Sequence, residues 1–290
     1  MEPNTIIKLN ALTMKKALYQ QPGILVIGLM VSILLMFSAC NTTQKKQEDV
    51  VSPDEESATK EEVVKDLSGY PIPTSYEITK LIYQSGAPYI LSLSNGPEKA
   101  DEYITQRDKV LNLGIYATDL CYATTYMMKQ GTMNYLEASK TLIDDLGIST
   151  TFNIKYAERI EKNIDNRDSL IQIVGESFGD TWNYLVDNQQ DVLARLVVCG
   201  SWIEGIYITT NVATKAIDNA SFLEALAKQK NSLNQLVTIL EPVKDVEEVT
   251  DLYQGLFELQ SFYEGVGDVL TGEQLTEVSA LVETLRSSIV

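Results

Sequence analysis

Apolar side chains recur every three or four positions through most of the chain after residue 73, which is the spacing of helices that bury one face. No segment shows the strict alternation of a half-exposed strand. The pattern predicts an all-α fold, a bundle of about nine helices joined by short loops. The predicted helices cover about residues 74–86, 97–129, 132–147, 150–163, 166–188, 191–212, 220–240, 245–264 and 271–290.

Local signals support several of these boundaries. The pairs Thr74–Glu77 and Thr271–Gln274 have the spacing of a capping box, in which two side chains satisfy the free N–H groups at a helix start. Asn166 stands where an N-cap is expected. These three positions predict the starts of the first, fifth and last helices.

Proline and glycine mark other boundaries and contacts. The longest helix is predicted to start at Pro97, which suits a first turn, and to run to Lys129. Gly131 is predicted to end it, and Thr132 to start the next helix. Glycines inside helices are predicted to permit close helix packing, namely Gly175, Gly179, Gly200 and Gly205.

Two parts of the chain share a pattern. Residues 119–125 and 204–210 both read acid-x-x-Tyr-x-Thr-Thr, and residues 135–138 match 222–225 at a similar offset. Self-similarity at one offset is typical of repeated units. We therefore predict that a four-helix unit was duplicated. The predicted repeats are residues 97–189 and 190–290.

The stretch of residues 193–211 is apolar almost all round, which predicts a helix at the centre of the bundle. Glu204 lies in its middle, and Asp119 has the equivalent place in the other repeat. If the two helices pack together, the two carboxylates come close. We expect aromatic side chains to line the same space, and the candidate ligand-binding residues are Asp119, Glu204, Tyr116, Tyr122, Trp202 and Tyr207.

Buried carboxylates must be hydrogen-bonded, paired or protonated, and this leaves three hypotheses. In the first, tyrosine hydroxyls satisfy Asp119 and Glu204 as a structural network. In the second, the acids form a pocket for a small cationic or polar ligand, or for a hard metal bound through oxygen. In the third, they act as the carboxylate pair of a hydrolase. No catalytic residue, metal or cofactor is assigned.

The N-terminal forty residues have the pattern of a signal peptide. Residues 24–37 are apolar or small and uncharged, lysines precede them, and Phe37-Ser38-Ala39-Cys40 follows. This segment resembles a bacterial lipobox, in which the cysteine is lipidated and becomes the mature N-terminus. The resemblance implies a signal peptide over residues 1–39, acyl chains such as palmitate on Cys40, and a durable membrane anchor. A plain N-terminal anchor or secretory signal, with Cys40 incidental, is the alternative, and Met14 is an alternative start.

Residues 40–73 are rich in charged and polar groups and poor in large apolar ones, which predicts a flexible acidic tether before the helical domain at residues 74–290. With its anchor, tether and helices, the chain is similar to uncharacterised helical lipoproteins of the Bacteroidota. Because Asn41 follows the cysteine, the resemblance implies the outer membrane, facing either the periplasm or the surface.

The formal charge of −17 argues against a nucleic-acid partner, and the absence of histidine excludes catalysis or metal binding by imidazole. In an oxidising envelope, Cys121 and Cys199 form either a disulfide or two buried thiols. The sequence therefore predicts a lipid-anchored, non-enzymatic envelope protein. Its helical body would bind a protein partner or a ligand. The alternatives are a receptor using the Asp119/Glu204 core and, third, the hydrolase.

Overall fold

The computed structural model describes residues 75–148, 150–216 and 219–290, which form nine α-helices and no β-strand. The predicted all-α bundle is confirmed. Three short 3₁₀ segments occupy residues Leu91–Leu93, Pro97–Glu102 and Glu241–Val243. The signal peptide, the tether, Cys40 and Thr74 lie outside the described residues. The helices are α1 Ser75–Gln84, α2 Gln106–Thr125, α3 Lys129–Asp145, α4 Thr150–Lys162, α5 Arg167–Asp187, α6 Asp191–Lys215, α7 Ala220–Leu240, α8 Glu247–Glu264 and α9 Gly272–Ser287.

Helices α2 and α6 form the centre of the bundle, and both are buried on nearly every side. Their backbones touch at two glycines. A Cβ atom on Gly114 would overlap the Val197 carbonyl, and one on Gly200 would overlap the Leu111 carbonyl. Next to this crossing, the Thr118 hydroxyl donates a hydrogen bond to the Ser201 carbonyl at 3.0 Å. The missing side chains therefore let the two helices approach more closely than ordinary side-chain packing allows.

Helix α6 is also the one helix in the described part of the chain whose length and hydropathy would suit a membrane span. Its most apolar window is 83% buried within the protein. The core helix of a globular domain has the same composition, so this property is weak evidence of a membrane span.

The remaining helices are arranged in the same order in the two halves. In the first half α2 packs against α3 and α5, and α4 lies against both α3 and α5. In the second half α6 packs against α7 and α9, and α8 lies against both α7 and α9. This matching order supports the predicted duplication, which stays a prediction.

The segment from residue 85 to residue 105, here called the strap, corrects the prediction of one helix from Pro97 to Lys129. The chain is extended at Tyr103 and Thr105, and the Thr105 hydroxyl accepts a hydrogen bond from the Asp108 N–H at 3.0 Å. That cap starts α2 nine residues later than predicted. The strap runs back along α2, from the end of that helix toward its start. The Ile90 N–H of the strap bonds the Tyr122 hydroxyl, and five residues later the Asn95 N–H bonds Asp119, which comes earlier in α2.

The turn between α2 and α3 corrects a second boundary. Met127, at a φ of 56°, takes the left-handed conformation just after α2, four residues before Gly131, which was predicted to end the helix. The Met128 N–H then bonds the Ala123 carbonyl at 2.9 Å, and α3 begins at Lys129 rather than Thr132. Gly131 lies inside α3, where a Cβ would come within 3.3 Å of the Ala123 methyl. It serves helix packing rather than helix termination.

Other local predictions have mixed outcomes. The capping box of Thr271 and Gln274 is confirmed, and so is the cap by Asn166. Gly205 lies against Ile78 as predicted, but a Cβ on Gly175 would meet nothing within 4 Å, so that glycine serves no close contact. The two cysteines of the described residues are buried thiols and form no disulfide with each other. They are Cys121 and Cys199.

We expect Gly114→Ala and Gly200→Ala each to lower the free energy of unfolding by at least about 2–3 kcal/mol, because the added methyl forces α2 and α6 apart. Gly175→Ala is the matched control. It makes the same change inside α5 and should raise stability by about 0.5–1 kcal/mol through helix propensity. Urea unfolding measures all three variants. Similar losses in Gly114→Ala and Gly175→Ala would contradict the close crossing.

A buried polar core at the central helix crossing

The crossing of α2 and α6 places Asp119 and Glu204 in the middle of the protein, and both residues are 0% exposed. Each acid lies near the other, since the charge on Glu204 raises the pKa of Asp119. The helix pairing that the sequence suggested therefore brings the two predicted acids together.

Arg286, on the last turn of α9, is the partner of Glu204. Its Nε lies 2.5 Å from Glu204 Oε2, and its Nη2 lies 3.0 Å from Glu204 Oε1. Nη2 also donates to the Leu93 carbonyl of the strap at 3.3 Å, and the guanidinium lies over the Tyr207 ring at 4.1 Å. A planar guanidinium binding both carboxylate oxygens is the strongest geometry for such a pair.

The sequence analysis missed Arg286, although a signal was present. The apolar positions of α9 recur at helical spacing through Leu275, Val278 and Val282, and the next position on that line is Arg286, followed by Ile289. An arginine on a core-facing line requires a buried anion. Neither the tyrosines nor the matching repeat indicates this cation, because Arg286 lies 82 residues from Glu204 in the chain.

Burial dominates the ionisation of this core. It raises the pKa of Asp119 well above its usual range, and the charge of Glu204 adds to the effect. Burial also raises the pKa of Glu204, but the hydrogen bonds from Arg286 lower it part of the way back. We infer that Glu204 is the ionised partner of Arg286, and that any proton shared by the two acids belongs to Asp119.

The surroundings of Asp119 are only partly satisfied. Its Oδ2 accepts a hydrogen bond from the Asn95 N–H of the strap at 3.0 Å, but its Oδ1 has no partner. The Ser94 hydroxyl and the Tyr89 hydroxyl are also buried without a hydrogen-bond partner. Unsatisfied polar atoms of this kind are rare in protein interiors, so three at one place call for an explanation.

The predicted aromatic residues have different roles. The Tyr116 hydroxyl donates to the Gly96 carbonyl at 2.8 Å, and the Tyr122 hydroxyl accepts from the Ile90 N–H at 2.9 Å. Both therefore hold the strap to α2. Tyr207 lies under Arg286. Trp202 is buried, but among the described residues no hydrogen bond or ring contact joins it to the other candidates.

Two asparagines that the sequence analysis did not select extend the network. The Asn112 amide donates to the Ile289 carbonyl at 3.0 Å, and its oxygen accepts from the Asn95 amide at 3.2 Å. Asn95 also donates to the Tyr103 hydroxyl at 2.8 Å. These bonds connect the strap, α2 and the C-terminal turn, which are far apart in sequence.

Comparison with known proteins does not assign this core. We found no matching family model, curated protein or solved structure for the chain. Within the described residues, no group of three or more acidic or cysteine side chains has the arrangement of a metal site.

We expect Glu204→Gln to lower the free energy of unfolding by about 3–5 kcal/mol, because it leaves Arg286 as an unpaired buried charge. Replacing both partners, as Glu204→Met with Arg286→Met, should cost less than the single change, since no charge is then left unpaired. Glu158→Gln, which breaks an exposed pair with Lys162, should change stability by less than about 1 kcal/mol. Chemical unfolding measures the stability of all these variants. A double variant that is less stable than Glu204→Gln would refute the pairing.

Proposed function

We propose that the chain is a lipid-anchored protein of the bacterial cell envelope, with a non-enzymatic helical body that binds a small ligand. The sequence of residues 24–40 supports the anchor, because an apolar segment ends at small residues and Cys40. The acidic segment of residues 40–73 supports a tether between bilayer and bundle. The outer membrane is the proposed location, with the face undecided. A protein partner is the other occupant that this proposal allows.

The charge arrangement of the core supports a role without catalysis. Glu204 is held by two hydrogen bonds from Arg286, so its carboxylate is not available as a nucleophile or base. No observation on the described residues favours the hydrolase hypothesis. In this proposal, Asp119 and Glu204 stabilise the core or set its charge.

A cavity of about 50 Å³ between helices α2, α3, α4 and α5 is the observation that carries ligand binding. The Ser139 hydroxyl lines this cavity and is buried without a partner, while Lys140 lies beside it. The space suits a short apolar group of a few heavy atoms with one hydrogen-bonding atom. Its apolar walls include Leu113, Leu120, Leu136, Ile143, Ile160 and Phe178.

We expect 1-propanol, used as a probe, to bind this cavity saturably, because its alkyl part fills apolar space and its hydroxyl pairs with Ser139. Backbone NMR shifts should change around α2 to α5 and reach a plateau. Ser139→Ala should weaken binding, and Ala117→Leu, which fills the cavity from α2, should abolish it. Shifts that rise linearly with the alcohol and are the same in Ala117→Leu would contradict a binding site.

We expect Cys40→Ser to abolish labelling of the protein by an alkyne analogue of palmitate in a bacterial host, because the serine oxygen does not replace the acylated thiol. Cys199→Ala is the matched control. It removes a buried thiol from α6 and should leave labelling intact. Persistent labelling of Cys40→Ser would overturn the lipid anchor.

A second candidate function is a receptor that uses the Asp119 core. The specific observation in its favour is the set of three buried oxygens without partners, on Asp119, Ser94 and Tyr89. In this candidate a small polar or cationic molecule supplies the missing bonds.

A further inference from the structure

We propose that Asp119 Oδ1, Ser94 Oγ and Tyr89 Oη form a binding site for a single ammonium group, either the ammonium ion or a small primary amine. This inference rests on the second candidate function and names its ligand class. It does not depend on the anchor at Cys40 or on the cavity at Ser139.

The three oxygens come from two elements that the tertiary structure joins. Asp119 lies on α2, while Tyr89 and Ser94 lie on the strap, which is held to α2 by the bond from the Asn95 N–H to Asp119. Burial raises the pKa of both Asp119 and Tyr89, and the nearby Ser94 hydroxyl lowers each pKa part of the way back by hydrogen bonding. No contact among the three oxygens, however, has the full geometry of a hydrogen bond. Polar groups that face one another without direct bonds are typically bridged by a small bound species.

The charge at this point favours a cation over water. Arg286 neutralises Glu204, so Asp119 has no counter-ion of its own, and burial raises its pKa so that it holds a proton when the site is empty. That proton leaves Ser94 and Tyr89 without bonds, and a bound ammonium group would replace it as the neutralising charge. An ammonium group supplies one positive charge and several N–H donors, which suits three oxygen acceptors.

The aromatic neighbours favour ammonium over a metal ion. The Tyr89 and Tyr122 rings lie 4.6 Å apart. Burial raises the pKa of Tyr135, and the charge of the nearby Asp119 raises it further, so Tyr135 also lies close to this site. Tyrosine ring faces attract ammonium groups. A divalent metal would require more carboxylates than the one that this site offers.

The strap provides the route of entry. It contains two short 3₁₀ segments and no α-helix, and Leu91 on it is 64% exposed. A segment with few internal backbone bonds opens locally at lower cost than a packed helix. Opening of the strap would therefore expose the Asp119 site without unfolding α2 or α6.

The test is the thermal unfolding of the full chain in detergent, with ammonium chloride, potassium chloride and sodium chloride compared at equal concentration. Ligand that binds only the folded state raises the melting temperature. We expect ammonium to raise it by about 2–4 °C more than the other two salts once the site is largely filled. Equal effects of the three salts would overturn the inference.

Variants separate this site from general salt effects. Asp119→Asn, Ser94→Ala and Tyr89→Phe should each reduce or remove the extra shift with ammonium. Ser139→Ala, which removes another buried hydroxyl without a partner, should keep it in full. An unchanged ammonium response in folded Asp119→Asn would also overturn the inference.

A crystal structure of the full chain, grown with ammonium chloride, tests the ammonium assignment separately from the second candidate function. Density at Asp119 Oδ1 that is lost when sodium chloride replaces ammonium supports the inference. Density that persists unchanged in sodium chloride overturns the ammonium assignment, but it supports another bound polar species and so the second candidate function. An empty site in both salts overturns both this inference and the second candidate function.

Discussion

The backbones of α2 and α6 are in direct contact, and the packing of the other helices follows from this contact. Gly114 and Gly200 each face a carbonyl of the opposite helix, so neither position has room for a side chain. Two helices that touch in this way form a central pair, and the other helices are arranged around them in a matching order. The same contact removes water from one helix face, and so determines the environment of Asp119 and Glu204.

That environment explains why the core includes a charged pair and not only apolar residues. Glu204 at the crossing requires a counter-ion, and α9 supplies Arg286, which also bonds the strap through the Leu93 carbonyl. Such a pair adds little net stability compared with apolar packing, but breaking it leaves a buried charge. The pair therefore ties the C-terminal helix and the strap to the centre of the bundle. Within the described residues, Asp119 is left with one carboxylate oxygen, Oδ1, that has no hydrogen-bond partner.

Much of the helical pattern, but less of the polar site, was predictable from sequence. Hydrophobic spacing and caps such as Thr271 and Asn166 depend on neighbouring residues only, so they identified the helices correctly. The start of α2 was wrong because residues 97–105 have helical spacing, while their backbone is set by hydrogen bonds with α2. The predicted meeting of Asp119 and Glu204 followed from the repeat and from the apolar character of both helices.

The amino-acid pattern alone was enough to predict that this chain is all-α, that α6 is a central helix, and that two acids lie on core-facing lines. These properties follow from local periodicity and from the cost of exposing apolar faces. The pairing of Arg286 with Glu204 became apparent only from the packed helices, and so did the place of Ser94 and Tyr89 near Asp119, with hydroxyls that have no hydrogen-bond partner. These contacts depend on how the strap and α9 pack against α2 and α6. Because the residues are far apart in the chain, the contacts leave no local sequence pattern.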